Sequence, residues 1–284
     1  MKQRRSSRKP REWPIKAYRD LEFLNSADAR PIRVLCEFTE PRTRFRKMRV
    51  RNTIAFFGSA RAHPHEIAQR DLEAARATAG SSPSREHQER LDMAERAVAL
   101  SRYYDDAMEL ARRLTEWSLA IPKHSKRFHI CSGGGPGIME AANRGASLAG
   151  GQSIGLNISL PFEQVPNPYQ THELSFEFHY FFVRKFWFVY LAKAMVVFPG
   201  GYGSFDELFE LLTLIQTGKS GKQMPIVIFG TDYWHDVLDF GAMARWGVIS
   251  QDDLDLFRFC DDVGDAFDYL TNDLTARYLD GNGG

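Results

Sequence analysis

Short apolar segments that end in glycine, proline or a small polar residue constrain the fold of this chain most strongly. Each is apolar at nearly every position, which is typical of strands covered on both faces of a sheet. Segments with apolar residues at helical spacing lie between most of them. This alternation predicts an α/β fold, a doubly wound parallel sheet with helices on both faces. The predicted strands are Thr53–Phe57, Phe128–Cys131, Ser153–Leu160, Ala194–Phe198 and Pro225–Phe229.

The helical segments follow the predicted strands in turn. The connection over residues 63–101 is unusually long, and its halves, Glu66–Ala79 and Glu86–Leu100, are separated by the Ser, Gly and Pro residues of 80–84. This composition predicts a helical hairpin inserted in a crossover. The remaining predicted helices are Tyr103–Trp117, Ile138–Ala149, Phe181–Tyr190, Phe205–Ile215 and Tyr233–Trp246.

Residues 1–50 are predicted to form a basic N-terminal extension, and residues 51–284 one domain. The first eleven residues contain six basic side chains and no acidic one, a composition that predicts disorder. A second basic cluster over residues 42–51 is interleaved with Phe45, Met48 and Val50. That interleaving favours an ordered segment at the domain edge over a nucleic-acid-binding arm.

Composition excludes several classes of function. With 37 Lys and Arg against 36 Asp and Glu, the net charge is +1, which argues against a protein held mainly by nucleic-acid phosphates. No apolar run reaches the roughly 18 to 20 residues that span a bilayer, and no apolar signal core follows the basic N-terminus. Cys36, Cys131 and Cys260 are too far apart for a disulfide framework or a metal knuckle, and the eight histidines lack ligand spacing. We expect a cytoplasmic protein without metal, nucleic-acid or membrane partners.

Two glycine-rich loops follow predicted strands at the sheet edge where ligands of such folds bind. The loop at 132–137 carries Gly133, Gly134, Gly135 and Gly137 and leads into a helix, so its amides can approach an anion at the helix N-terminus. A tight turn explains these glycines equally well. The loop matches neither a Walker A motif nor GxGxxG, which disfavours triphosphate and dinucleotide binding.

The loop at 199–204 repeats this arrangement, and two such loops suggest the two ends of one ligand. Here the spacing of Ser204 and Glu207 also fits a capping box, with Ser204 as the N-cap of the following helix. On spacing alone, capping explains Glu207 better than catalysis does. Either role places Glu207 close to whatever the loop binds.

Two separated motifs in this order closely resemble the LOG family. They are Gly133–Ala146 and, after Arg184-Lys185, the segment Pro199–Glu207, which matches the family signature PGGxGTxxE. The resemblance covers roughly residues 53–279. It implies a Rossmann-like domain, a homodimer or higher homo-oligomer, that needs no cofactor. The activity it implies is hydrolysis of the N-glycosidic bond of a nucleoside 5′-monophosphate, AMP-like or cytokinin-type, to free base and ribose 5-phosphate.

The resemblance also implies roles for individual residues. Arg184 and Glu207 match the catalytic pair: the carboxylate would stabilise the oxocarbenium-like sugar and activate water, and the guanidinium would offset negative charge. Lys185 would assist electrostatically. Substrate binding is implied for Ser59, Gly135, Gly137, Met139, Gly200, Gly201, Gly203 and Ser204.

Two positions depart from the family pattern. Ser204 replaces the usual threonine, and Lys193 replaces a common aspartate, which puts contacts inferred from that aspartate in doubt.

Two other functions stay open. A pyridoxal-phosphate decarboxylase would need Lys185 or Lys193 as its Schiff-base lysine. A non-enzymatic carrier or sensor of a phosphorylated ligand is the other alternative. The aromatic residues of 176–188 fit a core and subunit interface better than a base-stacking platform.

Overall fold

A computed structural model describes residues 13–81, 84–160, 165–221 and 223–280. The predicted disordered tail, residues 82–83 of the predicted hairpin turn, and Pro161, expected to follow the third strand, lie outside these ranges.

Seven parallel strands form one sheet in the described part of the chain, in the order β4-β3-β2-β1-β5-β6-β7. This confirms the predicted α/β fold. The first strand is central, and the strand order reverses between it and the fifth. The strands are β1 (Asn52–Phe57), β2 (Phe128–Ser132), β3 (Ser153–Ile158), β4 (Ser175–Phe178), β5 (Ala192–Val197), β6 (Ile226–Phe229) and β7 (Arg258–Cys260).

The sequence prediction missed two strands, β4 and β7. Both lie at sheet edges and are only four and three residues long. In β4 the buried Phe176 and Phe178 alternate with the less buried Ser175 and Glu177. An edge strand has less cover, so neither segment shows the continuous apolar run that identified the inner strands.

Helices connect the strands and differ from the predicted ones in three places. Glu86–Leu100 and Tyr103–Trp117 are one continuous helix, and the predicted helix Tyr233–Trp246 is divided, because Asp239 caps a new helix by accepting from the amide of Ala242. The helix predicted over Phe205–Ile215 begins earlier. The helices are α1 (Leu21–Asn25), α2 (Arg30–Lys47), α3 (His65–Ser81), α4 (Arg85–Ala120), α5 (Ile138–Leu148), α6 (Phe181–Leu191), α7 (Tyr202–Gln216), α8 (Thr231–Val237), α9 (Phe240–Arg245) and α10 (Val263–Leu274).

Short 3₁₀ or π turns at residues 17–19, 124–126, 172–174, 252–256 and 275–279 complete the described elements. Within the described ranges, no helix combines the length and apolar character needed to cross a bilayer.

The two faces of the sheet bury separate apolar cores. Alternate residues of β1 divide between them: Ile54 and Phe56 face α4, α5 and α10, whereas Ala55 and Phe57 face α6, α7 and α8. Because successive strand residues point to opposite faces, an apolar residue is required at almost every inner-strand position. The strand pattern seen in the sequence therefore follows from cover on both faces.

Helix α2, within the predicted N-terminal extension, packs against the second of these cores. The ring of Phe45 packs at a tilt against Phe176 and Trp187, with ring centroids 4.8 and 5.3 Å away. The carboxylate of Glu37 accepts hydrogen bonds from the amides of His179 and Tyr180, at 2.8 and 3.2 Å. These contacts attach α2 to the start of α6.

The backbone of Ser59 connects the loops that follow β2 and β5. Its amide donates to the carbonyl of Pro199 at 2.8 Å, and its carbonyl accepts from the amide of Ile138 at 3.0 Å. Gly137 has φ of 72° and packs so closely on the carbonyl of Ser59 that a β-carbon would overlap it. Only glycine satisfies both conditions at this position.

The Gly137→Ala variant should lower the free energy of unfolding by about 2–3 kcal/mol, because it adds steric overlap to an unfavourable backbone conformation. Urea unfolding followed by circular dichroism measures this change. Gly203→Ala is the matched control: it lies in α7 with open space around its β-position, so stability should stay equal or rise by up to about 1 kcal/mol. Equal stability of the two variants would contradict the assigned loop contact.

Candidate functional site

A cleft of about 730 Å³ opens at the carboxyl ends of the central strands. It lies beside the reversal of strand order between β1 and β5, where ligands of open parallel sheets bind. The cleft wall includes every predicted site residue except Gly137 and Lys185. Those on the wall are Ser59, Gly135, Met139, Arg184, Gly200, Gly201, Gly203, Ser204 and Glu207.

Helix α7 begins at Tyr202, so the predicted capping box is wrong. Gly201 occupies the N-cap position and no side chain caps the helix. Ser204 lies inside the first turn, where its amide donates to the carbonyl of Gly201 at 2.9 Å. The glycines before Ser204 allow the helix to start earlier than the spacing suggested. Glu207 consequently lies beyond the first turn, and capping does not account for its carboxylate.

Glu207 is a buried carboxylate with an unsatisfied oxygen. Its side chain is 4% exposed, and Oε2 has no hydrogen-bond partner in the described part of the chain. Burial raises the pKa of Glu207 to about 7, although the charges of Arg184 and Lys185 oppose the shift. A buried acid with a perturbed pKa in a cleft is typical of an active site.

Arg184 approaches the same region from α6. Its guanidinium carbon lies 5.0 Å from the ring centroid of Phe181 and 5.7 Å from that of Phe188. Burial lowers the pKa of Arg184, and the negative charges of Glu207 and Asp206 act in the opposite direction. Its Nε has no partner among the described residues. The guanidinium is therefore placed by aromatic contacts and keeps a donor free for a ligand.

Lys185 connects the two helices that carry Arg184 and Glu207. Its Nζ lies 2.8 Å from Asp206 Oδ1 and 2.8 Å from Glu210 Oε2, both on α7. Since Lys185 adjoins Arg184 and Asp206 adjoins Glu207, this bridge fixes the register between the two helices. Lys185 itself is not part of the cleft wall.

The loop at 198–201 and the first turn of α7 form a concave backbone surface in the cleft. Gly200 packs against the side chain of Ser204, which a β-carbon at Gly200 would overlap. The hydroxyl of Tyr233 donates to the carbonyl of Gly200 at 2.6 Å. The first amides of a helix have no intrahelical acceptor, so this surface offers donors and partial positive charge to an anion.

Buried amide side chains hold the other glycine loop. The carbonyl of Gly134 accepts from Asn167 Nδ2 at 3.0 Å and from Gln170 Nε2 at 2.7 Å. Asn167 also donates to Asn143 Oδ1 at 2.9 Å, and the hydroxyl of Ser132 donates to the same oxygen at 2.7 Å. This network connects the loop to α5 and to the β3–β4 crossover, and it fixes the backbone beside Gly135.

The sequence analysis did not assign several of the cleft residues to the site. Asn157 carried a usable signal, since it is a polar residue within an apolar strand. Tyr233 carried none beyond its position after a predicted strand, and Phe181 carried none beyond its place in a predicted helix, because their part in the cleft depends on how the helices pack. The cleft residues outside the predicted site are Phe57, Gly58, Ala60, Arg61, Gly133, Asn157, Ile158, Leu160, Phe181, Phe188, Tyr202, Phe205, Tyr233 and Val237.

The Glu207→Gln variant should be more stable than the natural chain at pH 8. Because burial raises the pKa of Glu207 from 4.5 to about 7, the folded state retains a proton that the unfolded state releases, and stability falls as pH rises through this interval. Glutamine removes that loss, so the expected gain is about 3 kcal/mol at pH 8 and under about 1 kcal/mol at pH 5. Urea titrations at both pH values measure it. A gain that does not depend on pH would contradict the assignment.

Part of this chain is similar in sequence to known proteins. Residues 139–270 match the family model described as "Possible lysine decarboxylase". The chain is 32% identical over 130 residues to the pyrimidine/purine nucleotide 5′-monophosphate nucleosidase of Escherichia coli strain K12, over 40% of this chain and 27% of that protein. The resemblance found in the sequence motifs is thereby confirmed.

A second relative comes from rice. Over 154 residues the chain is 29% identical to the cytokinin riboside 5′-monophosphate phosphoribohydrolase LOG of Oryza sativa subsp. japonica, across 53% of this chain and 58% of that protein. The chain thus matches about a quarter of the bacterial relative and just over half of the plant one. Among solved structures, a molybdenum cofactor binding protein from Rippkaea orientalis superposes with a TM-score of 0.45 at 14% identity, over 78% of this chain and 96% of that one.

Proposed function

We propose that the cleft hydrolyses the N-glycosidic bond of a nucleoside 5′-monophosphate, because residues 139–270 match the family model described above and the chain resembles relatives of the LOG family. The products are a free base and ribose 5-phosphate. In this reaction a water oxygen bonds to C1′, the C1′–N bond breaks, and its electron pair leaves with the base. The proton that water releases balances the one that the departing base takes up. The observation that carries the proposal is the buried Glu207 carboxylate near Arg184, each with an unpartnered polar atom.

The 5′-phosphate is placed at the start of α7. Gly200, Gly201, Gly203 and Ser204 line this part of the cleft, and the free amides of the first helical turn supply donors to phosphate oxygens. Ser59 faces the same space from the loop after β1. Glycine at these positions lets the phosphate approach the backbone, so binding needs no excess of positive charge in the whole chain.

Glu207 acts on the sugar and on water in this proposal. Breaking the C1′–N bond develops positive charge on the ribose ring, which a carboxylate in a water-poor site stabilises strongly. The same carboxylate can accept a proton from the attacking water. The raised pKa of Glu207, about 7, makes it a stronger base than an exposed glutamate at neutral pH.

Arg184 binds the substrate and offsets negative charge. Its position between Phe181 and Phe188 on α6 leaves Nε unpaired in the described structure. The departing base gains electron density, and a fixed cation nearby lowers the energy of that state. The substrates proposed are AMP-like or cytokinin-type monophosphates, with Tyr202, 97% exposed at the cleft, available to contact the base.

The two alternative functions lack a comparable site. A pyridoxal-phosphate enzyme needs a free lysine in the cleft, but Lys185 is ion-paired with α7 and Lys193 lies 4.9 Å from the ring of Tyr278. Neither belongs to the described cleft wall. A carrier of a phosphorylated ligand gains nothing from a buried carboxylate beside an anion, because the two charges repel.

We also propose that the chain forms a homodimer through the outer face of α6. Phe181, Phe182 and Phe186 are between 40% and 55% exposed, and apolar patches of this kind mark protein interfaces. The other aromatic residues of the predicted cluster, including Phe176, Phe178, Trp187 and Phe188, are buried in the core.

Glu207→Gln and Arg184→Gln should each reduce kcat/KM for AMP at least about 100-fold while leaving circular dichroism unchanged, because each removes a charge that acts in the transition state. Chromatography of adenine release measures the rate. The control is Asp268→Asn, which removes an exposed carboxylate from α10 and should retain full activity. Wild-type activity in the Glu207 variant would exclude the catalytic role.

The pH profile of kcat/KM provides a second prediction. If ionised Glu207 accepts the proton of water, activity should rise with pH through an apparent pKa near 7, the value to which burial raises this group. Initial rates between pH 5 and 9 with subsaturating AMP give the profile. A profile without this acidic limb would show that the ionised carboxylate is not required.

A further inference from the structure

A second pocket lies at the other end of the central strands from the cleft. Its volume is about 390 Å³. Three of its lining residues lie just before a strand: Arg51 directly precedes β1, Leu191 directly precedes β5, and Ser125 lies shortly before β2. The pocket is therefore at the amino ends of the central strands, separate from the cleft and independent of the function proposed for it.

Four arginines and a histidine surround this pocket without a counter-charge. Within the described ranges, none of the four guanidinium groups forms a hydrogen bond or ion pair, whereas the guanidinium of Arg44 on the same helix is paired with Glu40. Arg42 and Arg46, one turn apart on α2, repel each other. An anion in the pocket would offset this repulsion and satisfy the guanidinium donors. The basic residues are Arg42, Arg46, Arg49, Arg51 and His124.

The backbone at Arg49 is the second sign of a binding site. Arg49 has φ of 57°, and among the described residues it alone has a positive φ without being glycine. It follows α2 in a helix-terminating turn in which the amide of Val50 donates to the carbonyl of Phe45 at 2.9 Å. Glycine is usual at this place. The negative end of the helix dipole accounts for Arg46 in the last turn, but it does not account for arginine in a left-handed conformation.

The floor of the pocket is apolar. The side chains of Trp187 and Leu191 from α6 meet Phe45 and Val50 below the arginines. A rim of guanidinium groups above an apolar floor suits a ligand that combines several phosphates with a flat ring, and planar guanidinium groups bind phosphate in a bidentate manner. The volume lies within the roughly 300–1,000 Å³ typical of small-molecule sites.

We propose that this pocket binds a small polyphosphate anion, a nucleoside di- or triphosphate or an inorganic polyphosphate of similar length. The cluster supplies several positive charges, which a single phosphate monoester would not balance. A nucleic acid fits less well, because the arginines surround one cup and the acidic Glu37 and Glu40 lie further back along α2. The basic segment of the sequence is thus the wall of a small-ligand site.

Isothermal titration calorimetry of the full chain with ATP and with tripolyphosphate, at low salt and without divalent metal, tests the proposal. The Arg49→Gly variant should bind at least about tenfold more weakly, since it removes one charge-assisted contact. Its thermal midpoint without ligand should equal or exceed that of the natural chain, because glycine relieves the left-handed backbone. A structural role for Arg49 would instead lower the midpoint.

Arg90→Ala is the control, because it removes the same charge from the exposed start of α4. Arg90 lies about 45 Å along the helix from the C-terminal end of α4, and it is this end that leads to His124 of the pocket. This variant should bind both probes as the natural chain does. Similar affinity for the two probes would assign recognition to the phosphate chain, and preference for ATP would assign part of it to the ring. Absence of binding, unchanged affinity in Arg49→Gly, or tighter binding of a single-stranded oligonucleotide than of either probe would overturn the proposal.

Discussion

The peptide groups on either side of Ser59 set the geometry on which the cleft depends. One donates to the loop after β5 and the other accepts from the first amide of α5, so the central strand holds both glycine loops at fixed separation. A side chain at Gly137 would push these loops apart. The pairing of two glycine loops is therefore a consequence of chain packing at the centre of the sheet, and it would be needed whichever small anion the cleft received.

The buried charged groups of the cleft lower the stability of the folded state. Glu207 is buried with one oxygen unpaired, and Arg184 is buried with Nε unpaired. Lys185 compensates from behind, since its bridge to Asp206 and Glu210 holds α6 against α7. Unsatisfied buried charges of this kind cost free energy in the folded state and are retained where function requires them. Helix α6 also contributes Trp187 and Leu191 to the second pocket, so one helix connects both sites.

The inner part of the fold could be predicted from the sequence, because burial on both faces requires continuous apolar strands. The edge strands could not, since β4 is fully buried only at alternate positions and β7 has only three residues. The glycine loops indicated the place of the cleft, and the family motif indicated Arg184 and Glu207. The start of α7 was misplaced because glycine carries little information on where a helix begins. The basic cluster over residues 42–51 was visible in the sequence, but the pocket was not, because His124 and the apolar floor from α6 come from distant segments and the conformation of Arg49 is visible only in three dimensions.

The central claim is that water attacks C1′ of a nucleoside 5′-monophosphate under the control of Glu207. Incubating the chain with AMP in ¹⁸O-labelled water and analysing the products by mass spectrometry tests this claim most directly. We predict equimolar adenine and ribose 5-phosphate, with the label on the C1 oxygen of the sugar and product formation strongly reduced in Glu207→Gln. Recovery of intact AMP, or of adenosine with labelled phosphate, would contradict the account.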